Sequence, residues 1–142
     1  MRTTSWVLLT IVGAVTLLVS LISANLAYRG DFAIGPAGTR IEDVAAGRTP
    51  VLEGLRGIRG TSAAYAAAYA VLFLAIVLGP YRRGEVWAWW ALLAAIAALA
   101  LIVALRMAFL SSRLGVGAAL IPTGLALVAL LFDVRRLSAR AA

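Results

Sequence analysis

Residues 49–90 read TPVLEGLRGIRGTSAAYAAAYAVLFLAIVLGPYRRGEVWAWW, and this stretch decides the fold. Thr49 and Pro50 predict a helix start, because threonine caps the first backbone donors and proline loses no hydrogen bond at the first helical position. The helix then continues to the Gly-Pro pair at 79–80, a length of about 45 Å at 1.5 Å per residue. A bilayer's hydrocarbon layer is only about 30 Å thick. The first turns are therefore predicted to stand outside the hydrocarbon, with the span itself over residues 61–79.

The composition predicts a membrane protein. Of the 142 residues, 63% are hydrophobic and the mean hydropathy is +0.99, whereas soluble domains contain about 45–50% apolar residues. The excess predicts side chains that face lipid. Three further apolar segments, at residues 6–28, 86–110 and 114–132, are each long enough to span a bilayer. The predicted fold is all-α: a single domain, residues 1–142, that forms an integral membrane four-helix bundle.

A loop over residues 29–60 joins the first two spans, and its end is predicted to be helical. Thr39 and Glu42 match a capping box, in which each side chain satisfies a backbone donor at a helix start. Gly47 suits the end of such a helix. One short helix over about residues 40–46 is therefore predicted to lie on the membrane surface.

The first apolar segment has two interpretations. Arg2, the apolar core and the small residues near the end of the segment fit a cleaved secretory signal loosely. The apolar run of residues 6–28 is longer than the roughly 7–15 residues of a signal-peptide core. A retained span is favoured, and cleavage stays open.

Basic and aromatic residues predict the orientation. The basic residues are all arginines, which together with heavy use of alanine and glycine indicates a bacterial source. Arg82 and Arg83 lie in a short turn beside Trp87, Trp89 and Trp90, which are predicted to anchor one membrane interface. Compact basic clusters next to spans lie on the cytoplasmic side. Together with the basic tail, they predict a multi-pass protein of the inner membrane with both termini cytoplasmic.

Missing residue types exclude much chemistry. The chain has no Cys, His or Lys, which removes thiolate nucleophiles, the commonest metal ligand and general base, and Schiff-base chemistry. All six acidic residues lie outside the predicted hydrocarbon, which argues against proton-coupled transport. We predict no catalytic residue, metal or cofactor. Nucleic acid is not an expected partner, because the arginines flank apolar runs and form no basic face.

The strongest candidate site combines Glu53, Arg56, Arg59 and Arg106. Arg56 and Arg59 are neighbours on a helix, and the same spacing of three residues lets Glu53 pair with Arg56. Arg106 enters from the third span at a similar depth. Guanidinium groups bind phosphate and carboxylate through a rigid fork, so the cluster is a candidate site for an anionic ligand or a lipid headgroup. The alternative is that these arginines only anchor the helix ends in the headgroup layer.

A second candidate is a pocket beneath that cluster, lined by Asn25, Tyr65 and Tyr69. The two tyrosines are one helical turn apart, and Asn25 approaches from the first span. The alternative is ordinary hydrogen bonding and aromatic packing between helices.

Small residues recur along the second span and its helical approach. Small residues let helix backbones approach closely in lipid, so this span is predicted to be the most enclosed. They are Gly54, Gly57, Gly60, Ala63, Ala66, Ala67 and Ala70.

The layout also carries a family resemblance. A first span and a loop with Pro and Gly are followed by a helix entered through EGLRGIRG at residues 53–60, and the third span ends in Leu105-Arg106-Met107. This order resembles the small four-span bacterial membrane proteins of the DoxX-like group, especially its uncharacterised branch. The resemblance implies a four-helix membrane bundle. It implies no activity, because members of the group are described mostly as accessory subunits or not at all.

These observations predict a non-enzymatic function. The chain is expected to be an accessory or assembly subunit, or a lipid-contacting scaffold, with membrane lipids and a second copy or a larger membrane complex as partners. The alternative is a small oligomeric transporter or channel for an anion or a lipid-like solute, drawn by the outer arginines. A third possibility is a cofactor-free enzyme that acts on a lipid through Glu53 and the tyrosines.

Overall fold

The structure is a computed structural model in which the described residues are almost entirely helical and contain no strand, so the all-α prediction is confirmed. The backbone is described at residues 2–29, 39–110 and 116–141. Side chains are described at 5–29, 39–105, 107–109 and 120–132.

Four long helices and one short one follow each other along the described residues. They are α1 (Arg2–Arg29), α2 (Ile41–Ala45), α3 (Thr49–Ile76), α4 (Val86–Leu110) and α5 (Val116–Ala141).

Among the described residues, three helices are long and apolar enough to cross a membrane. They cover Ser5–Arg29, Thr49–Tyr81 and Val86–Phe109, with mean hydropathies of 2.5, 2.0 and 2.5. A shorter apolar stretch, Leu120–Phe132, lies in α5. Large apolar side chains are exposed along all four long helices, and soluble monomers rarely show such continuous apolar surface. These features fit a membrane protein.

The chain divides into two compact units. The middle unit is Thr16–Ala70, and the hairpin unit combines Met1–Val15 with Val71–Ala142. Helices α1 and α3 contribute to both units, and each unit is described by itself.

In the hairpin unit, α1 and α3 run in opposite directions at close range. Gly13 lies against Phe73 and Leu74, whereas Trp6, seven residues earlier, lies against Arg82. Glycine at this position leaves room for the two larger side chains. Close approach of two helices therefore depends on one small residue on α1.

Helices α4 and α5 form the second contact of the hairpin unit. Trp89 is 9% exposed, and its indole N–H donates to the carbonyl oxygen of Leu130 at 3.1 Å. Leu92 and Ile96 follow Trp89 on the same face of α4 and are also buried, as is Ala126 on α5. The core of this contact lies in the first half of α4.

The end of α3 differs from the prediction. The helix does not stop at Gly79 and Pro80 but continues through a π-helical turn, Val77–Tyr81. Proline has no N–H and its ring crowds the carbonyl one α-turn earlier, so the wider turn accommodates it. The chain leaves the helix at Gly84, whose φ of 85° suits glycine.

The short helix α2 is confirmed, but its N-cap is not the predicted Thr39. Its N-cap is Arg40 in an extended conformation, with no side-chain cap. The Glu42 carboxylate instead accepts a hydrogen bond from Arg56 on α3. The helix ends beside Gly47 as predicted, with Ala46 in the left-handed conformation at φ 48°.

Helix α5 is described from Val116 to Ala141 and extends beyond residue 132, where the predicted span ends. It continues through Pro122 and includes the backbone of the basic tail as far as Ala141. Residues 114 and 115 lie outside the described residues.

Candidate functional site

The candidate site in the middle unit is built by α2 and the first turns of α3. Ile41 and Ala45, one turn apart on α2, are 3% and 1% exposed. Burial of this face fixes α2, and it places Glu42 where Arg56 can reach it. Arg56 Nη2 donates to Glu42 Oε1 at 3.1 Å.

Sequence reasoning assigned Arg56 a different partner. Glu53 is three residues away on the same helix, whereas Glu42 is 14 residues earlier. In the structure Glu53 is exposed and forms no ion pair among the described residues. The acidic first turn of α2, where Glu42 and Asp43 lie, was the only local signal for the observed pair.

The Glu42–Arg56 pair is partly screened from solvent. Each side chain is 32% exposed, while Glu42 Oε2 and Arg56 Nε are buried without a hydrogen-bond partner among the described residues. The pKa of Glu42 is held below its ordinary value, chiefly by its own backbone N–H and next by the Arg56 guanidinium. Glu42 is therefore ionised at neutral pH, and it offsets the charge of Arg56.

The remaining members of the predicted cluster are placed only in part. Arg59 is half-buried on α3. Arg106 lies in α4, but its side chain is outside the described residues. The joint site of Glu53, Arg56, Arg59 and Arg106 therefore stays a prediction, with Glu42 added as the observed partner of Arg56.

The three predicted pocket residues lie in the middle unit. Asn25 borders a shallow, open hollow of roughly 380 Å³ with Leu21, Ile22 and Leu26, all on α1. On α3, Tyr65 is 75% exposed and Tyr69 is half-buried. A pocket that combines all three residues stays a prediction.

Among the small residues, Gly60 makes a close contact between helices. A Cβ added there would stand 2.5 Å from the hydroxyl oxygen of Tyr28 on α1. Ala63 and Ala70 continue this buried face at 5% and 0% exposure. At Gly54 and Gly57 an added Cβ would meet no atom within 4 Å. The small-residue surface predicted for this helix therefore packs from Gly60 onward, and its first two glycines are open.

A second charged cluster lies at the turn between α3 and α4, and the sequence indicated only a topology signal there. The Arg82 guanidinium carbon is 4.9 Å from the centroid of the Trp6 ring. Arg83 Nε is 2.9 Å from Glu85 Oε1, and the Trp87 indole N–H donates to Glu85 Oε2 at 2.6 Å. Both oxygens of Glu85 therefore have partners.

The tryptophans at this turn differ from each other. Trp87 and Trp90 are 55% and 60% exposed, as expected for interface anchors. Trp89 was predicted to be a third anchor, and that prediction is wrong, because its ring is buried and bonded to Leu130 on α5. The planes of the Trp89 and Trp90 rings are at 89° to each other, and the ring centroids are 4.9 Å apart.

The hydroxyl groups of the long helices are also used within the fold. Thr10, Ser20 and Ser62 each donate to a carbonyl oxygen one turn earlier in the same helix, at 2.8, 2.7 and 2.9 Å. Such bonds satisfy a hydroxyl that faces an apolar environment. Among the described residues no group of three or more Asp, Glu, His or Cys could hold a metal.

Comparison with known proteins adds no relative. No family model, no curated protein and no solved structure matches the chain. The likeness to the DoxX-like group therefore rests on the sequence layout alone.

Proposed function

We propose that the chain is a non-enzymatic integral membrane protein that serves as an accessory or assembly subunit, and that the second half of α4 packs against a helix of its partner. The supporting observation is the difference between the two halves of α4. The first half has a buried face against α5, whereas none of the described side chains in the second half is buried.

The first half of α4 shows one buried face, formed by Ala88, Trp89, Leu92 and Ile96. From residue 97 to 109, none of the described side chains is buried. Four successive residues cover the circumference of a helix. Leu99, Ala100 and Val103 are half-buried, and the other described side chains of this half are exposed. The second half of α4 is therefore covered much less than the first half.

The second half of α4 is apolar apart from Arg106. Leu101, Ile102 and Phe109 are 60%, 64% and 82% exposed. A helix surface that is this widely apolar belongs in lipid or in the core of an assembly. Ala100, Ala104 and Ala108 recur every four residues along it, and such a line of small residues favours close contact with another helix in lipid. This combination supports a protein partner.

Helix α1 provides the contrasting case. Ile11, Val15 and Leu18 are exposed at 54%, 52% and 59%, while Leu9 and Val12 on the opposite side are buried. One covered side and one exposed side are typical of a helix at the edge of a bundle, with lipid on its outer face. Lipid alone accounts for the exposed side of α1.

The polar groups support a structural role over transport or catalysis. Arg56, a cation on which an anion pathway would depend, is paired with Glu42 at 3.1 Å. Glu85, at the other end of α3, has partners at both carboxylate oxygens. These side chains serve contacts within the fold, which favours the subunit proposal over the anion transporter.

Site-directed photocrosslinking tests the proposal. The chain has no cysteine, so Ile102→Cys and Leu18→Cys each accept one photoreactive maleimide, at sites of 64% and 59% exposure. In the membranes of the source cells, Ile102→Cys is expected to give a protein adduct of defined mass, and Leu18→Cys only lipid adducts. Lipid adducts alone at both positions would refute the partner surface. Anion flux through liposomes that contain only this chain would favour the transporter instead.

A further inference from the structure

We propose that Trp6 and Arg82 form a binding site for the phosphate of an anionic phospholipid. The Arg82 side chain is exposed, and its guanidinium carbon lies 4.9 Å from the centroid of the half-buried Trp6 ring. This distance is within the range of a cation–π contact. The contact holds the guanidinium beside the ring, at a place where the exposed side chain can reach a phosphate.

Among the charged side chains of this turn, Arg83 and Glu85 neutralise each other, so the net positive charge is that of Arg82. Arg83 is bound by Glu85 at 2.9 Å, and the second oxygen of Glu85 is bound by Trp87. The Arg82 side chain has no ion pair or hydrogen bond among the described residues. Its planar group with parallel N–H donors matches two oxygens of a phosphodiester.

The position of the pair selects a lipid over a soluble phosphate. Trp6 stands at the start of the apolar stretch Ser5–Arg29, and Arg82 directly follows the stretch Thr49–Tyr81. Both side chains therefore stand where spans end, at the depth of headgroups. Leu78 and Val86, on either side of the turn, are 47% and 44% exposed. They offer apolar contact to acyl chains that a soluble phosphate does not have.

This inference rests on the proposed membrane location and is independent of the α4 partner. Native mass spectrometry of the purified full chain, titrated with phosphatidylglycerol, measures the dissociation constant. Arg82→Gln is expected to raise it about tenfold or more, because charge-assisted hydrogen bonds are lost. Arg83→Gln is the matched control, since it removes the same charge from the adjacent position.

The control separates a built site from general attraction to a basic turn. We expect Arg83→Gln to change the dissociation constant by less than about threefold, because long-range charge effects are weak in salt. Equal losses in both variants would overturn the site. Arg82→Lys, which keeps the charge without the planar fork, is expected to fall between Arg82→Gln and the wild type, and circular dichroism checks that each variant is folded.

Two further arms distinguish the sources of phosphate and the underlying location. Excess inorganic phosphate is expected to leave bound phosphatidylglycerol in place, and its displacement would indicate a soluble-phosphate site and overturn the lipid assignment. Flotation of the wild type with lipid vesicles tests the membrane location by itself. A chain that fails to float contradicts the proposed function, whereas a chain that floats without preferring phosphatidylglycerol over phosphatidylcholine contradicts only the site.

Discussion

Replacing Gly13 by alanine tests the close contact between α1 and α3 in the hairpin unit. The added Cβ would stand 2.7 Å from Leu74 Cδ2, 2.8 Å from Leu74 Cγ and 3.1 Å from Phe73 Cδ1. Ordinary contact begins at 3.4 Å, so the nearest atom must move by about 0.7 Å. Phe73 is 5% exposed, and a ring packed to that degree cannot swing aside freely.

Two opposing effects set the expected magnitude. Overpacking of this kind costs about 1–3 kcal/mol, whereas exchanging glycine for alanine in a helix favours folding by about 1 kcal/mol. The net expectation for Gly13→Ala is a loss of about 1 kcal/mol in the free energy of unfolding. Gly54→Ala is the matched control, because a Cβ there meets no atom within 4 Å. For Gly54→Ala only the higher helix propensity of alanine applies, so no loss in the free energy of unfolding is expected.

Reversible unfolding in mixed detergent micelles, followed by circular dichroism, measures both variants. A second substitution, Leu74→Ala, removes the atoms nearest the new methyl group. It should therefore cost less in the Gly13→Ala background than in the wild type. If Gly13→Ala proved as stable as Gly54→Ala, the close packing of α1 on α3 would be refuted.

Two further predictions concern polar contacts. The pKa of Glu42 is lowered in the folded chain, so its contribution to stability is present above the ordinary value near 4.5 and is lost as the pH falls through the lower folded value. The protection of the α2 amides, which is the intrinsic exchange rate divided by the observed rate, should therefore fall at acid pH in the wild type, and Glu42→Gln should remove this change in protection; a protection that falls equally in both would contradict the assignment. Trp89→Phe loses the indole hydrogen bond to α5 and should lower the free energy of unfolding by about 1 kcal/mol, whereas Trp90→Phe, at an exposed position, should change it little. Equal effects in the same micelle assay would argue against the buried bond.

The sequence determines the helices well, because they depend on local signals. The start of α3 was predicted to within one residue from Thr49 and Pro50, although Arg48, which accepts the first helical hydrogen bond from Leu52, takes the N-cap position predicted for Thr49. The apolar lengths of α1, α3 and α4 follow from hydropathy alone. Burial of Gly60 was also expected, since small residues at helical spacing are typical of close packing.

The features that the sequence did not predict depend on contacts between residues distant in the chain, or on how the backbone accommodates a proline. Spacing on one helix favoured Glu53 as the partner of Arg56, whereas the folding of α2 onto α3 brings Glu42 to it. A proline at a predicted helix end indicates that the helix stops there. At Pro80 the helix instead continues through a wider, π-helical turn that accommodates the ring. Trp89 is the same residue type as the exposed Trp87 and Trp90 beside it. Only its contact with α5 distinguishes it.

We propose that this chain is a subunit and that a partner helix covers the second half of α4. Native mass spectrometry of the chain, released from its own membranes into mild detergent, tests it most directly. The wild type is expected to give a complex of fixed stoichiometry. Ala104→Phe, in the second half of α4, is expected to release the free chain. Leu18→Phe on α1 is expected to leave the complex intact. A wild-type chain found only as a monomer, or a complex indifferent to Ala104→Phe, would contradict the claim.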